Sequence, residues 1–265
     1  MKIHGLIIDP QEDFCNPDSG TLYVPGASAD MARLAAMLRR IGPKMDDVHV
    51  TLDSHHFVDI AHPIWWKDSA GNHPDPFTII TVSDLDAGRW TTHQPGAYRR
   101  SREYVETLAR NGKYPLCIWP YHCLIGSVGH AVVPDLFAAL KEWEAGFCSV
   151  DYVTKGSNMW TEHYSAVKAD VPDPADPSTQ INTGLIKTLR EADLVFVAGE
   201  AGSHCLANTV RDIADNFGDD RYVQKLVLLT DATSPVPGFE GLQNDFIADM
   251  TARGMQTSTT TAFLA

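Results

Sequence analysis

Short apolar runs alternate along the chain with stretches of helical periodicity. The apolar runs are rich in branched residues and end at turn residues, which is typical of buried parallel strands. They cover residues 5–9, 48–53, 116–119, 149–154, 193–198 and 225–230. Helical patterns cover residues 29–41, 132–143, 181–191, 205–214 and 244–253, and a threonine-rich last strand follows them. This order predicts an α/β fold in which helices cover both faces of a mostly parallel sheet.

Residues 62–112 interrupt the alternation. This stretch is rich in proline and glycine and carries the neighbouring aromatic residues Trp65 and Trp66. A long irregular stretch within a compact chain is usually a functional loop or lid. We therefore predict a single domain spanning residues 1–265, with an insertion or lid at about 62–112.

The charge and cysteine content of the chain bear on its binding partners and on its cellular compartment. The chain has 34 acidic and 21 basic residues, and its net charge of -13 argues against binding to nucleic acid or to an anionic membrane. Its five cysteines are odd in number and lack paired spacing, which favours a reducing compartment. A strand pattern begins directly after Met1, and no apolar run is long enough to span a bilayer. We expect a cytoplasmic protein, and a homo-oligomer remains open.

Four reactive side chains follow predicted strands. Asp9, Asp53, Lys155 and Cys205 each stand where an apolar run ends. Alone, an aspartate there is usually a turn residue, and a lone cysteine is usually a small buried hydrophobe. Ligands of open parallel sheets, however, bind beyond the carboxyl ends of the strands. Together the four residues offer a base, a cation and a nucleophile on one rim, and the start of a helix at Cys205 should lower the pKa of its thiol.

A second group of residues suggests a metal site. Asp53 and His55 are two residues apart on an extended segment, so their side chains point to the same side, and His122 follows the next apolar run. One carboxylate and two imidazoles with open positions suit zinc, or alternatively iron or manganese. Three neighbouring residues remain open as other ligands: His56, His62 and Asp59.

These residues, in this order, resemble the nicotinamidase branch of the isochorismatase-like cysteine hydrolases. The most specific match is Trp119-Pro120-Tyr121-His122-Cys123, which is similar to a Trp-Pro-x-His-Cys run of that family. Further matching segments lie at residues 9–14, 53–55, 155–156, 164–166, 199–205 and 230–233. The resemblance covers nearly the whole chain outside residues 62–112.

The resemblance implies a three-layer α-β-α domain with a six-stranded, mostly parallel sheet. It also implies that Cys205 is the nucleophile, that Asp9 is its base and that Lys155 is the cation holding the pair. A cis peptide bond is implied between Glu200 and Ala201, with the amides of Ala201 and Cys205 forming an oxyanion hole.

The activity implied by the resemblance is the metal-dependent cleavage of a small primary amide to an acid and ammonia through a thioester. Nicotinamide, an intermediate of NAD metabolism, is the leading candidate. Phe14 would then stack on the substrate ring, and the metal would hold the ring nitrogen. We also expect the aromatic insertion, with Trp65 and Trp66, to supply the rest of the substrate wall. Two alternatives remain open. One is a related amidase acting on a linear or bulkier amide, and the other is a non-catalytic metal- or ligand-binding protein.

Overall fold

The fold is organised around a six-stranded sheet in which all neighbouring strands run parallel. A computed structural model describes residues 1–265. Its strands are β1 (Ile3–Ile8), β2 (Asp47–Asp53), β3 (Trp66–Lys67), β4 (Ile79–Ile80), β5 (Thr91–Thr92), β6 (Leu116–Cys117), β7 (Asp151–Lys155), β8 (Leu194–Gly199), β9 (Leu226–Leu229) and β10 (Gln256–Ser258). The order in the main sheet is β10-β9-β8-β1-β2-β7. The predicted α/β class and its six-stranded parallel sheet are confirmed.

Eight helices connect and flank these strands. They are α1 (Glu12–Cys15), α2 (Ala27–Ile41), α3 (Val82–Asp86), α4 (Tyr98–Arg110), α5 (Pro134–Glu144), α6 (Thr183–Glu191), α7 (Cys205–Asn216) and α8 (Glu240–Ala252). Helix α2 packs on α5, and α7 packs on α8. From β1 the chain adds β2 and then β7 towards one edge of the sheet, whereas from β8 it adds β9 and then β10 towards the other edge. Because crossovers between parallel strands are right-handed, the two helix pairs lie on opposite faces of the sheet. The direction in which strands are added to the sheet changes between β1 and β8, and ligands of open parallel sheets bind at such a point.

One predicted strand lies outside the main sheet. Of residues 116–119, only β6 is a strand, and it pairs antiparallel with β4. Ile118 and Trp119 are buried, and their backbone N–H groups donate to the carbonyls of Thr78 and Ala61 rather than to the main sheet. A short buried apolar run predicts a strand of the main sheet, but here the run pairs with β4 in a separate two-stranded sheet.

Residues 62–112 pack on the same hydrophobic core as the sheet. They contain β3, β4 and β5 together with α3 and α4, and β3 pairs antiparallel with β5. Trp66 is fully buried and its indole donates a hydrogen bond to the Ile60 carbonyl at 2.8 Å. Trp65 is also buried, and its indole donates to the Ser101 hydroxyl at 2.9 Å. None of the eight helices has the length and apolar character needed to cross a membrane.

Candidate active site

The four reactive side chains meet at the carboxyl edge of the sheet. Asp9 directly follows β1, Asp53 and Lys155 are the last residues of β2 and β7, and Cys205 begins α7 after β8. All four are buried. The strand register sets Asp53 beside Lys155, and the change of chain direction sets Asp9 close to the turn that precedes Cys205.

Lys155 lies at the centre of the group. Its Nζ is 2.9 Å from Asp9 Oδ2 and 3.0 Å from Asp53 Oδ1. The same ammonium is 3.6 Å from Cys205 Sγ. The Thr51 hydroxyl donates to Asp9 Oδ1, whereas Asp9 Oδ2 faces the Lys155 ammonium. The carboxylate of Asp9 and the thiol of Cys205 therefore share one cation.

Burial controls the protonation of this group. It raises the pKa of the Cys205 thiol well above its usual range, and the nearby charge of Lys155 offsets only part of that effect. This is opposite to the direction expected from the helix end alone, because desolvation of a buried thiolate outweighs it. Burial also raises the pKa of Asp9, although Lys155 opposes the change. The thiol therefore needs a base to lose its proton, and Asp9 is the adjacent carboxylate.

The turn before Cys205 presents two free amide groups. The peptide bond between Glu200 and Ala201 is cis. The backbone N–H groups of Ala201 and Cys205 donate to no acceptor in the chain. Gly199 has φ +112°, and a side chain there would clash with the backbone of Ile8. The turn thus needs glycine at its start, and its two free donors lie beside the thiol.

Three ligand atoms converge next to Lys155. Asp53 Oδ2 is 3.1 Å from His55 Nε2 and 3.3 Å from His122 Nε2, and all three residues are buried. The other ring nitrogen of each histidine has its own partner. Nδ1 of His55 lies 3.1 Å from Asp59 Oδ2, and Nδ1 of His122 lies 2.8 Å from the Pro120 carbonyl. Such rear contacts fix the tautomer that directs a lone pair on Nε2 towards a metal.

The alternative ligands fall outside this set. Asp59 contacts the rear of His55, which is a supporting position for a ligand. His56 is exposed. The His62 ring lies beside that of His55, with centroids 5.2 Å apart, and its buried Nε2 has no hydrogen-bond partner. The atoms that lie within 4.8 Å of one another belong to Asp53, His55 and His122.

A cavity of about 30 Å³ lies beside the thiol. Phe14 is part of its wall, and its contact with a substrate stays a prediction. Trp66 does not line it, because its side chain is fully buried against Ile60, and the expected position of Trp66 in the wall is wrong. Trp65 lines a separate cavity of about 520 Å³. The complete wall consists of Phe14, Leu22, Val24, Asp53, Trp119, His122, Glu162, Tyr164, Ala201, His204, Cys205 and Val236.

Sequence reasoning missed Glu162 and Thr51. Burial raises the pKa of the Glu162 carboxyl to about 8, and its Oε2 has no hydrogen-bond partner. Glu162 lies two residues before Tyr164, in the loop after β7, and no periodic pattern marks that loop. The orientation of Thr51 could have been inferred, because it lies two residues before Asp53 on the same face of β2.

Comparison with known proteins identifies relatives of this fold. No protein-family model and no curated protein sequence matches the chain. The structure of a yeast nicotinamidase bound to the inhibitor nicotinaldehyde matches with a TM-score of 0.66 and 17% identity, over 97% of this chain and 99% of that one. A Pyrococcus horikoshii pyrazinamidase in complex with zinc matches with a TM-score of 0.58 and 18% identity, over 98% of this chain and 99% of that one.

An isochorismatase family protein from Desulfovibrio vulgaris is also similar. It matches with a TM-score of 0.56 and 17% identity, over 99% of this chain and 96% of that one. The three similarities extend over almost the full length of both chains in each pair. This chain therefore has the fold shared by the nicotinamidases, the pyrazinamidases and the isochorismatase family.

Proposed function

We propose that this protein is a cysteine amidohydrolase that converts a small primary amide and water to a carboxylic acid and ammonia. The observation that carries the proposal is the contact of one buried ammonium, on Lys155, with both the Asp9 carboxylate and the Cys205 thiol. A nucleophile, a base and a cation in mutual contact are the parts needed for covalent acyl transfer.

The first half of the reaction forms a thioester. Asp9 Oδ2 takes the proton of the Cys205 thiol, and Sγ attacks the amide carbonyl carbon. The N–H groups of Ala201 and Cys205 donate to the oxygen that becomes negative, and one such donor can contribute on the order of 10²–10³ in rate. Asp9 then returns its proton to the amide nitrogen, so that the carbon–nitrogen bond breaks and ammonia leaves.

The second half of the reaction releases the acid. Asp9 is again a carboxylate and accepts a proton from a water molecule that attacks the thioester carbonyl. The carbon–sulfur bond breaks, and the proton held by Asp9 returns to the Cys205 sulfur. Lys155 remains charged throughout, because Asp9 and Asp53 both face its ammonium and raise its pKa against the effect of burial.

The site also suits a divalent transition metal held by Asp53, His55 and His122. Their donor atoms already converge, both histidines have their other ring nitrogen occupied, and two imidazoles with one carboxylate suit zinc, iron or manganese. Asp53 also lies 3.0 Å from the Lys155 ammonium, a charge that favours the ionised carboxylate. Such a metal supplies a Lewis acid that can hold a polar atom of the substrate.

Protein purified without chelator or added metal is expected to contain close to one divalent transition metal per chain. His122→Ala should lose it, because the substitution removes one of three converging ligand atoms. Elemental analysis of both proteins tests this, with His56→Ala as a matched control, since His56 is exposed and outside the set. Metal that survived in His122→Ala but disappeared in His62→Ala would contradict this ligand assignment.

Nicotinamide is the leading substrate, and one observation favours short linear amides as the second candidate. Phe14 supplies an aromatic wall for a ring. The cavity of about 30 Å³, however, is small, which favours a short substrate over a ring. Ammonia release from nicotinamide, benzamide, acetamide and hexanamide, compared as kcat/KM with metal-loaded protein, separates the two. Hydrolysis of none of them, together with no protection of Cys205 from alkylation by nicotinaldehyde, would favour a non-catalytic protein.

Two aromatic substitutions should have different effects. Phe14→Ala should raise KM for ring amides by roughly tenfold, because a lost stacking face corresponds to about 0.5–1.5 kcal/mol. Trp66→Ala should instead destabilise the fold by about 3–5 kcal/mol, because it empties a fully buried position. KM and thermal unfolding midpoints of both variants test this. An unchanged KM in Phe14→Ala would place its ring outside the bound substrate.

A further inference from the structure

A second Asp-x-His pair stands on the same strand as the first. Strand β2 begins with Asp47 and has His49 two residues on, just as it ends with Asp53 and is followed by His55. Both residues of each pair point to one side of the extended chain. His4 of β1 is the register partner of Asp47, so it reaches the same face of the sheet. We propose that His4, Asp47 and His49 bind a second divalent transition metal at the amino end of the sheet.

The donor atoms of these three residues converge. One ligand atom from each lies within 4.8 Å of the others. His4 Nδ1 is 3.3 Å from His49 Nε2, and His49 Nε2 is 3.8 Å from Asp47 Oδ2. Zinc–nitrogen bonds of about 2.0–2.1 Å place two nitrogens on a tetrahedral ion about 3.3–3.4 Å apart. The two imidazoles therefore already have the spacing of ligands that share one ion.

A carboxylate behind His49 fixes the direction of its lone pair. His49 Nδ1 lies 2.8 Å from Asp151 Oδ2 on the neighbouring strand β7. An N–H donated there leaves the lone pair of Nε2 facing His4 and Asp47. Histidine ligands are commonly held by a carboxylate in this way. Asp59 occupies the corresponding position behind His55 in the first site.

A hydrogen bond from His4 to His49 accounts for part of the arrangement. It does not involve Asp47, whose Oδ1 accepts a hydrogen bond from the Val48 N–H and whose Oδ2 lies 3.8 Å from His49 Nε2. A cation shared by Asp47 Oδ2 and His49 Nε2 would bring the carboxylate into the same site as the two imidazoles. The two histidines are buried, whereas the Asp47 side chain is about 35% exposed, so an ion can enter and water can complete its coordination.

Metal bound here would connect three strands of the sheet. His4 lies on β1, Asp47 and His49 lie on β2, and His49 is held by Asp151 on the edge strand β7. Binding to the folded state alone stabilises that state by mass action. Because the site is more open than the first, it should fill when metal is added to the purified protein, and its effect should appear as increased thermal stability.

The test is a titration of the metal-stripped full chain with cobalt(II), following stoichiometry by calorimetry and the d–d absorption of the bound ion. Wild type should bind two equivalents, and His4→Gln and Asp47→Asn should each bind one. Asp151→Asn should weaken the second site by about 10–100-fold. The matched control is His93→Gln. The rings of His93 and His73 are 5.5 Å apart between centroids, similar to the 5.4 Å between His4 and His49, but His73 and His93 are both exposed.

The variants separate this site from the first. In His122→Ala, added cobalt should still bind and raise the thermal unfolding midpoint, and adding His4→Gln should remove both effects. A single equivalent in wild type that His122→Ala abolishes would overturn the proposal and leave a hydrogen-bonded histidine pair. A second equivalent that survives in Asp47→Asn with wild-type affinity would overturn it as well. Asp47→Asn keeps the test decisive if His4→Gln does not fold, because the Asp47 side chain is partly exposed.

Discussion

Cys205→Ala is expected to abolish amide hydrolysis, with a loss in kcat on the order of 10⁴–10⁶-fold. The substitution removes the sulfur that Lys155 contacts at 3.6 Å and that would form the thioester. Asp9 and Lys155 keep their ion pair in the variant, so the fold should remain intact. Ammonia release measures the activity, while circular dichroism and the thermal unfolding midpoint measure the fold.

The other cysteines supply the controls for this experiment. Cys148 is exposed, so a thiol reagent would also modify it, and alkylation of Cys205 is best measured in a Cys148→Ala background. Cys148→Ala itself should retain full activity. Cys123→Ala should retain the covalent chemistry, because Cys123 is buried near the Gly129 carbonyl and does not contact Lys155. Turnover that persisted in Cys205→Ala would rule out the thioester mechanism.

The four central residues of the site could be predicted because ligands of parallel sheets bind beyond the carboxyl ends of the strands. Asp9, Asp53, Lys155 and Cys205 each follow a short buried run, and parallel strands bring their carboxyl ends to one edge. Order along the chain was therefore enough to place them together. The Asp53 and His55 pairing followed from the two-residue period of an extended segment. The depth of burial at Cys205, which raises its thiol pKa, required the packed structure.

The parts that could not be predicted lie on irregular segments. Asp59 and His62 are close in sequence to His55, but the turn between them places Asp59 behind the histidine and leaves His62 beside it. Trp66 was expected in the cavity wall, yet its indole donates to Ile60 in the core. No periodic pattern fixes which way a side chain points from such a loop. The second Asp-x-His pair lies on a regular strand, but its partner His4 becomes apparent only from the register of β1 and β2.

Asp9→Asn is expected to lower kcat by about 10²–10⁴-fold, the usual contribution of a general base, with little change in product binding. An amide cannot accept the thiol proton, whereas Thr51 can still donate to its oxygen and Lys155 keeps its contact with Asp53 at 3.0 Å. Single-turnover kinetics should show slow formation of the thioester. Asp84→Asn is a suitable control, because it removes the charge of another nearly buried carboxylate, in the cap of helix α3.

The pH dependence of the rate distinguishes a general base at Asp9 from a structural role of that residue. A general base acts when ionised, so the wild-type rate should rise with pH through the pKa of Asp9, which burial raises, and should then level off. Asp9→Asn should lose that acid limb together with most of its rate. If the variant kept both the rate and the limb, the base would have to be another residue of the cavity wall. His204 would then be the first to replace, because it precedes Cys205 and lines the same cavity.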